Sequence, residues 1–206
     1  MDHYFSTPAG EFERRTITVE LAGRTVDVVT APGIFSPGHV DLGTKVLLRE
    51  MSAPPGGHLL DLGCGWGPIA LTMASLNPDA TVWAVDVNER SLALTRENAE
   101  RLGVKNVRAV LPHEVPSDIG FSEVWSNPPI RVGKEVLHDL MLQWLPRLIP
   151  GASAFLVVQK NLGADSLHRW LEEQFSPGRG GGVNAHVVRV ASSKGFRVLE
   201  VIREEP

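Results

Sequence analysis

Cysteine is nearly missing from these 206 residues: Cys64 stands alone, so no intrachain disulfide can form, and a reducing, cytoplasmic setting fits. No apolar run reaches the roughly 18 residues of a membrane-spanning helix, so no membrane partner is expected. Met1 to Gly10 carries Asp2, His3 and Ser6 and no apolar core, which speaks against a secretory signal. The seven histidines have no partner at metal-ligand spacing, so no metal is expected. Basic charge is not in excess. The net charge is −4 and the pI about 6.0, which argues against a general nucleic-acid binder. Arg14, Arg15, Arg131, Lys134, Arg179, Lys194 and Arg197 either build a local basic face or are scattered solvated charges. Nothing specifies an oligomeric state.

What is present suits one α/β domain: 43% of residues are hydrophobic and 21% charged. Two short strands, Thr16 to Leu21 and Thr25 to Thr30, flank Ala22-Gly23-Arg24, so residues 1–30 read as an N-terminal strand pair or extension and 31–206 as the main domain. A helix follows at Asp41 to Met51. Strands are expected at His58 to Asp61, Thr81 to Val85, Val107 to Leu111, Phe121 to Trp125 and Ala154 to Val158. Helices alternate with them at Pro68 to Leu76, Ser91 to Leu102, Lys134 to Leu148 and Ser166 to Phe175. Ala185 to Ala191 and Phe196 to Ile202 read as a closing antiparallel pair about Ser193-Lys194-Gly195. Such alternation implies a mostly parallel sheet covered on both faces.

Leu59 to Gly67 reads L-L-D-L-G-C-G-W-G between a buried strand and a helix. Gly63, Gly65 and Gly67 allow a sharp turn and a close ligand approach, or simply a tight strand-to-helix turn. The spacing is G-x-G-x-G, not the dinucleotide G-x-G-x-x-G. Asp61 would repel a pyrophosphate and suits a cationic amino-acid moiety, directly or through water. Asp86, nineteen residues beyond Gly67, ends the next strand, where a carboxylate accepts ribose hydroxyls or caps a helix.

Trp125-Ser126-Asn127-Pro128-Pro129 ends the fourth strand of the alternating series, at an edge that faces the ligand crevice of an open α/β sheet. Planar amino groups are poor nucleophiles, because their lone pair is delocalised, and mainly need aiming. The Asn127 side-chain oxygen and the Pro128 carbonyl can each accept one amino N–H and turn the lone pair outward. Neither proline has an N–H to spend within the loop.

The combination resembles the class I S-adenosylmethionine-dependent methyltransferases. That resemblance implies a Rossmann-like, doubly wound, seven-stranded and mostly parallel sheet, here with an antiparallel C-terminal hairpin. It implies Asp61, Gly63, Cys64, Gly65, Gly67 and Asp86 as cofactor-binding residues, with Val87 and Asn88 toward the adenine. In place of the family's acidic or polar adenine contact stands Leu111-Pro112-His113-Glu114, where His113 is either that contact or an exposed loop histidine. Asn127-Pro128-Pro129 is similar to the [N/D]-P-P-[aromatic] element of amino-group methyltransferases, with Ile130 replacing the aromatic. Phe35, Trp66 and Trp125 are the local candidates to stack on a base.

Longer stretches narrow the resemblance: Asn127 to His138, Gly33-Ile-Phe-Ser36 with Asp41-Leu-Gly-Thr44, and Ser193 to Val198. Over residues 25 to 206 they look like the small-domain methyltransferases related to the small-subunit ribosomal RNA guanine-N2 enzymes, at the length of their catalytic half. The implied reaction is methyl transfer to N2 of a guanine, with ribosomal RNA or a ribosomal subunit as partner. Asn127, Pro128 and Pro129 are the implied catalytic residues, and Ile130, Arg131 and Lys134 the substrate contacts. Phe35, Asp41, Gly43 and Thr44 would close the cofactor pocket. Protein glutamine N5 or adenine N6 methylation are the alternatives.

Overall fold

The computed structural model describes residues 13–205, the side chain of Arg131 excepted. The reading of Met1 to Gly10 therefore lies outside the described residues. Strands β1 (Arg15–Leu21) and β2 (Arg24–Thr30) form a separate antiparallel hairpin, turned at Ala22 and Gly23 with positive φ. Helix α1 (Leu42–Glu50) follows, with Asp41 as its N-cap. Then come β3 (His58–Leu62), α2 (Pro68–Leu76), β4 (Thr81–Val85), α3 (Glu89–Arg101) and β5 (Val107–Val110). The second half holds β6 (Phe121–Ser126), α4 (Lys134–Trp144), β7 (Leu148–Gln159), α5 (Ala164–Phe175), β8 (Ala185–Ser193) and β9 (Phe196–Arg203).

Seven strands form one sheet in the order β5-β4-β3-β6-β7-β9-β8. All neighbours are parallel from β5 through β7, while β9 pairs antiparallel with both β7 and β8. The closing hairpin thus adds one reversed strand, β9, inserted between β7 and β8. The chain runs outward from β3 to β5 and then returns to place β6 on the other side of β3. That reversal is a topological switch point, and a crevice opens there at the carboxyl ends of the strands. Asp61 on β3 lies in register with Trp125 on β6, so the loops after both strands leave side by side.

Two cores hold the sheet. On one face α4 and α5 contribute Leu137, Met141, Trp144, Leu167, Leu171 and Phe175. On the other, α1, α2 and α3 contribute Val46, Leu47, Ile69, Met73 and Leu92. The hairpin packs over α2 and α3 through Val28, Val29, Leu71 and Leu94. Asn98 on α3 ties these parts together. Its Oδ1 accepts from Val29 N at 2.6 Å, and its Nδ2 donates to Val29 O at 2.9 Å and to Trp66 O at 3.0 Å.

The expected helix from Lys134 to Leu148 is too long. It stops at Trp144, because Pro146 has no N–H to give and its ring opposes another helical turn. Pro150-Gly151, expected to end that helix, instead lies within β7 at a register shift against β6. Proline lacks the ladder donor and Gly151 adopts a positive φ, the properties of a strand bulge. The Gly178 to Gly182 run closes over the end of α5. Gly181 N donates to Gln174 O, and a Cβ at Gly181 would stand 2.6 Å from Phe175 Cδ1.

Candidate active site

The loop from Gly63 to Gly67 links β3 to α2, whose first residue is Pro68. Gly63 and Gly65 have positive φ, and a Cβ on either would project into open space. Gly67 also has positive φ, but there a Cβ would meet Thr95 Cγ2 and Oγ1 at 3.0 Å, so this glycine serves helix packing. Thr95 Oγ1 donates to Gly65 O at 3.0 Å and sets the loop against α3.

Asp61 is fully buried at the foot of this loop. Its Oδ2 accepts from Ala70 N at 2.8 Å in the first turn of α2, where the helix N-terminus favours a negative group. Its Oδ1 has no partner. Burial pushes this carboxyl up to about 8, against the Ala70 hydrogen bond, with nearby Asp86 adding to the rise. An orphaned buried carboxylate oxygen costs free energy that a cation would recover. Burial also raises the Cys64 thiol well above its usual range, with Asp86 and Asp61 contributing, which makes a thiolate role unsuited to it.

Asp86 ends β4 and joins the same assembly. Its Oδ2 accepts from Gly65 N and its Oδ1 from Asn88 N, each at 2.9 Å. Burial raises its carboxyl, and these backbone donors oppose the rise. Asp86 is not the cap of α3; Asn88 is, accepting from Arg90 N at 3.0 Å and donating to Gly33 O at 3.3 Å. The buried Asn88 side chain is thus spent on the fold, and any ligand contact falls to its backbone.

Asn127 stands just beyond β6, across the switch point. Its Nδ2 donates to Asp41 Oδ2 at 2.9 Å and to Thr44 Oγ1 at 3.1 Å. That leaves Oδ1 as the acceptor. Phe35, Asp41, Thr44, Gly63, Gly65 and Asn127 line one cleft, with Cys64 behind them. Of the candidate stacking aromatics, Trp66 and Trp125 are buried, their indole N–H groups donating to Ser36 O and to Glu123 Oε1. Phe35 alone of the three is open, at 50% exposure.

Several expected site residues fall differently. The Pro128 carbonyl is not idle: Ile130 N donates to it at 2.9 Å, supplying the N–H that both prolines lack and leaving one lone pair for a ligand. Pro128 is buried, and Ile130 is partly buried against the core under α4. Val87 is exposed, and His113 is exposed in the turn after β5, outside the cleft. Lys134 is exposed at the first position of α4; the Arg131 side chain lies outside the described residues. Arg14 pairs with Glu97, Arg15 with Glu13 and Arg197 with Asp165. Asn98, Thr95 and the tie from Asp41 to Asn127 were not read from sequence. Thr95 and Asn98 are polar residues on the apolar stripe that continues from Leu92, and that interruption was the available signal.

Among the described residues, no group of three or more His, Cys, Asp or Glu could hold a metal ion. No helix among them is long and apolar enough to cross a membrane.

A family model described as "Methyltransferase small domain" matches residues 25–200. The chain is 36% identical over 204 residues to the Bacillus subtilis protein YbxB, described as uncharacterized, covering 97% of each. It is 28% identical over 203 residues to ribosomal RNA small subunit methyltransferase C of Ectopseudomonas mendocina, covering 96% of this chain but 57% of that one. The Thermus thermophilus 16S rRNA N2 G1207 methyltransferase, solved with AdoMet and guanosine, superposes with a TM-score of 0.77 at 22% identity. That comparison covers 97% of this chain and 52% of the other. The chain thus spans nearly all of YbxB and about half the length of these RNA methyltransferases.

Proposed function

The chain belongs to the methyltransferase small domain family, and from that premise we propose that it transfers a methyl group from S-adenosylmethionine to N2 of a guanine in small-subunit ribosomal RNA. One observation carries the reading: Asn127 at the switch point has both amide hydrogens engaged by Asp41 and Thr44, and its oxygen is left to receive an amino N–H. The RNA methyltransferases similar over nearly the whole chain, one of them solved with guanosine, support the choice of guanine.

The residues fit the cofactor. The orphaned Asp61 Oδ1 suits its ammonium group, and the space before Gly63 and Gly65 admits its methionine portion. Asp86, with each oxygen already oriented by a backbone N–H, can accept from ribose hydroxyls. Val87 and the Asn88 backbone border the adenine side, while Phe35 and Thr44 close the cleft. When bound, S-adenosylmethionine supplies an electrophilic methyl group on a sulfonium, already an excellent leaving group.

The protein's task is then to aim the nitrogen. Asn127 Oδ1 accepts one amino N–H and the second lone pair of the Pro128 carbonyl accepts the other. The nitrogen lone pair, drawn out of conjugation with the ring, turns toward the methyl group. No strong base is required before attack; the proton leaves from the alkylated, acidic nitrogen. Phe35 supplies the aromatic face that Ile130 does not, while Arg131 and Lys134 meet phosphate. We read 31–206 as the catalytic unit and the strand pair within 1–30 as an extension. Action on ribosomes sets the compartment, the cytoplasm.

Transfer of tritiated methyl from S-adenosylmethionine into naked ribosomal RNA, small subunits and cell protein tests this, followed by nucleoside and amino-acid analysis. N2-methylguanosine is the expected product. Label in glutamine or in N6-methyladenosine would replace guanine as the target.

A further inference from the structure

The two ends of a carboxamide are nearly the same size, and a flip exchanges acceptor for donor. At Asn127 that exchange is decisive, since an NH₂ aimed at the substrate would meet the hydrogens of another amino group. The structure holds one orientation with two partners on α1. Asp41 Oδ2 lies 2.9 Å and Thr44 Oγ1 3.1 Å from Nδ2. An ionised carboxylate accepts and cannot donate, so it discriminates between the two ends.

Asp41 is itself immobilised. As N-cap of α1, its Oδ2 also accepts from Gly43 N at 2.8 Å and Thr44 N at 3.3 Å. Gly43 leaves no room for a side chain between the cap and β9: a Cβ there would lie 2.9 Å from Phe196 Cε1 and 3.0 Å from Asp41 Oδ2. The start of α1 thus packs beside β9 while its cap reaches Asn127. We propose that Asp41, supported by Thr44, is a positioning residue that locks the Asn127 carboxamide with its oxygen toward the acceptor amino group. This rests on the assignment of Asn127 as the amino-group acceptor.

Serine at 41 keeps a helix N-cap but is too short to reach Asn127. Asp41→Ser lowers kcat for small-subunit methylation by roughly ten- to a hundredfold, the scale of a misaimed reacting group. Its thermal midpoint stays near that of the parent. Asp41→Asn recovers much of the loss, because its oxygen, pinned by Gly43 N and Thr44 N, still accepts from Asn127. Thr44→Val, which removes no cap, lowers kcat in the same direction. A readout independent of substrate accompanies these: the side-chain NH₂ resonances of Asn127, identified by their disappearance in Asn127→Asp. They exchange slowly in the parent and rapidly in Asp41→Ser. Parental kcat in Asp41→Ser, or unchanged Asn127 resonances, overturns the proposal. If the parent methylates no ribosomal RNA, the functional reading fails by itself, and the resonances still decide the positioning.

Discussion

Gly65 N donates to Asp86 Oδ2 at 2.9 Å, so the middle glycine of one loop and the acid ending the neighbouring strand form a single unit. The other oxygen of Asp86 is turned by Asn88 N at the same distance. The carboxylate is thus oriented before any ligand arrives, which lowers the cost of ordering it on binding.

Asp86→Ala removes this oriented acceptor. Losing hydrogen bonds to a charged group costs roughly 1.5–3 kcal/mol, or about ten- to a hundredfold in affinity. Calorimetric titration with S-adenosylmethionine should show that loss, and an unaltered Kd would take Asp86 out of the site.

Asn127→Ala should eliminate detectable turnover and leave S-adenosylmethionine affinity nearly intact, because the role proposed for the side chain is to aim the substrate nitrogen. Methyl transfer assays beside calorimetry separate the two effects. A variant with parental activity would end the aiming mechanism.

Asp61 carries one part of the pH dependence, beside Glu123 and Asp86, whose carboxyls burial also raises. Its carboxyl titrates near 3.8 when unfolded and about 8 in the fold, because burial disfavours the charge. Its stabilising contribution is therefore complete below about pH 4 and is lost as the pH rises toward 8. Asp61→Asn, which keeps an acceptor for Ala70 N, should flatten that part of the ligand-free stability profile. Binding of the cationic cofactor at pH 7 should also release a proton from the parent, seen by calorimetry in buffers of different ionisation enthalpy. Equal proton release from Asp61→Asn would count against the assignment.

Gly67→Ala tests the packing of the loop. A left-handed backbone carrying a Cβ costs roughly 1–2 kcal/mol, and forcing a methyl against Thr95 adds about 1–3 kcal/mol. The denaturation midpoint should fall accordingly. Indifference to the change would mean that α2 and α3 part easily here.

Phe35→Ala probes the open aromatic. Base stacking on an aromatic side chain is worth roughly 1–3 kcal/mol, so KM for the RNA should rise. Phe35→Trp should retain a low KM. If alanine and tryptophan behave alike, Phe35 does not stack on the base.

Much was legible from the chain itself. Pro68–Leu76 and Thr81–Val85 occur at their expected bounds, since local signals define them: a proline at a helix start and a short apolar run between turns. The misjudged end of α4 is of the opposite kind. Leu145 and Leu148 continue the apolar pattern of the helix, and only the pairing of Leu148 with Phe121 on β6 makes the latter a strand residue.

The same division runs through the site. Motifs marked Asp61, the glycines, Asp86 and Asn127, because their chemistry depends on residue type and short spacing. Which end of the Asn127 amide faces outward could not be read there. Asp41 lies 86 positions earlier, and their hydrogen bond exists only because α1 packs over β7 and β9, next to β6 in the sheet. Sequence alone determined the strand and helix alternation and the residue types at the strand ends. Tertiary structure decided the insertion of β9 between β7 and β8, the burial that lifts Asp61, the exposure of Phe35 beside two buried tryptophans and the two hydrogen bonds that Asn127 gives to α1 and its cap. Each of those depends on groups far apart in the chain meeting where water is excluded, and local spacing carries no record of such meetings.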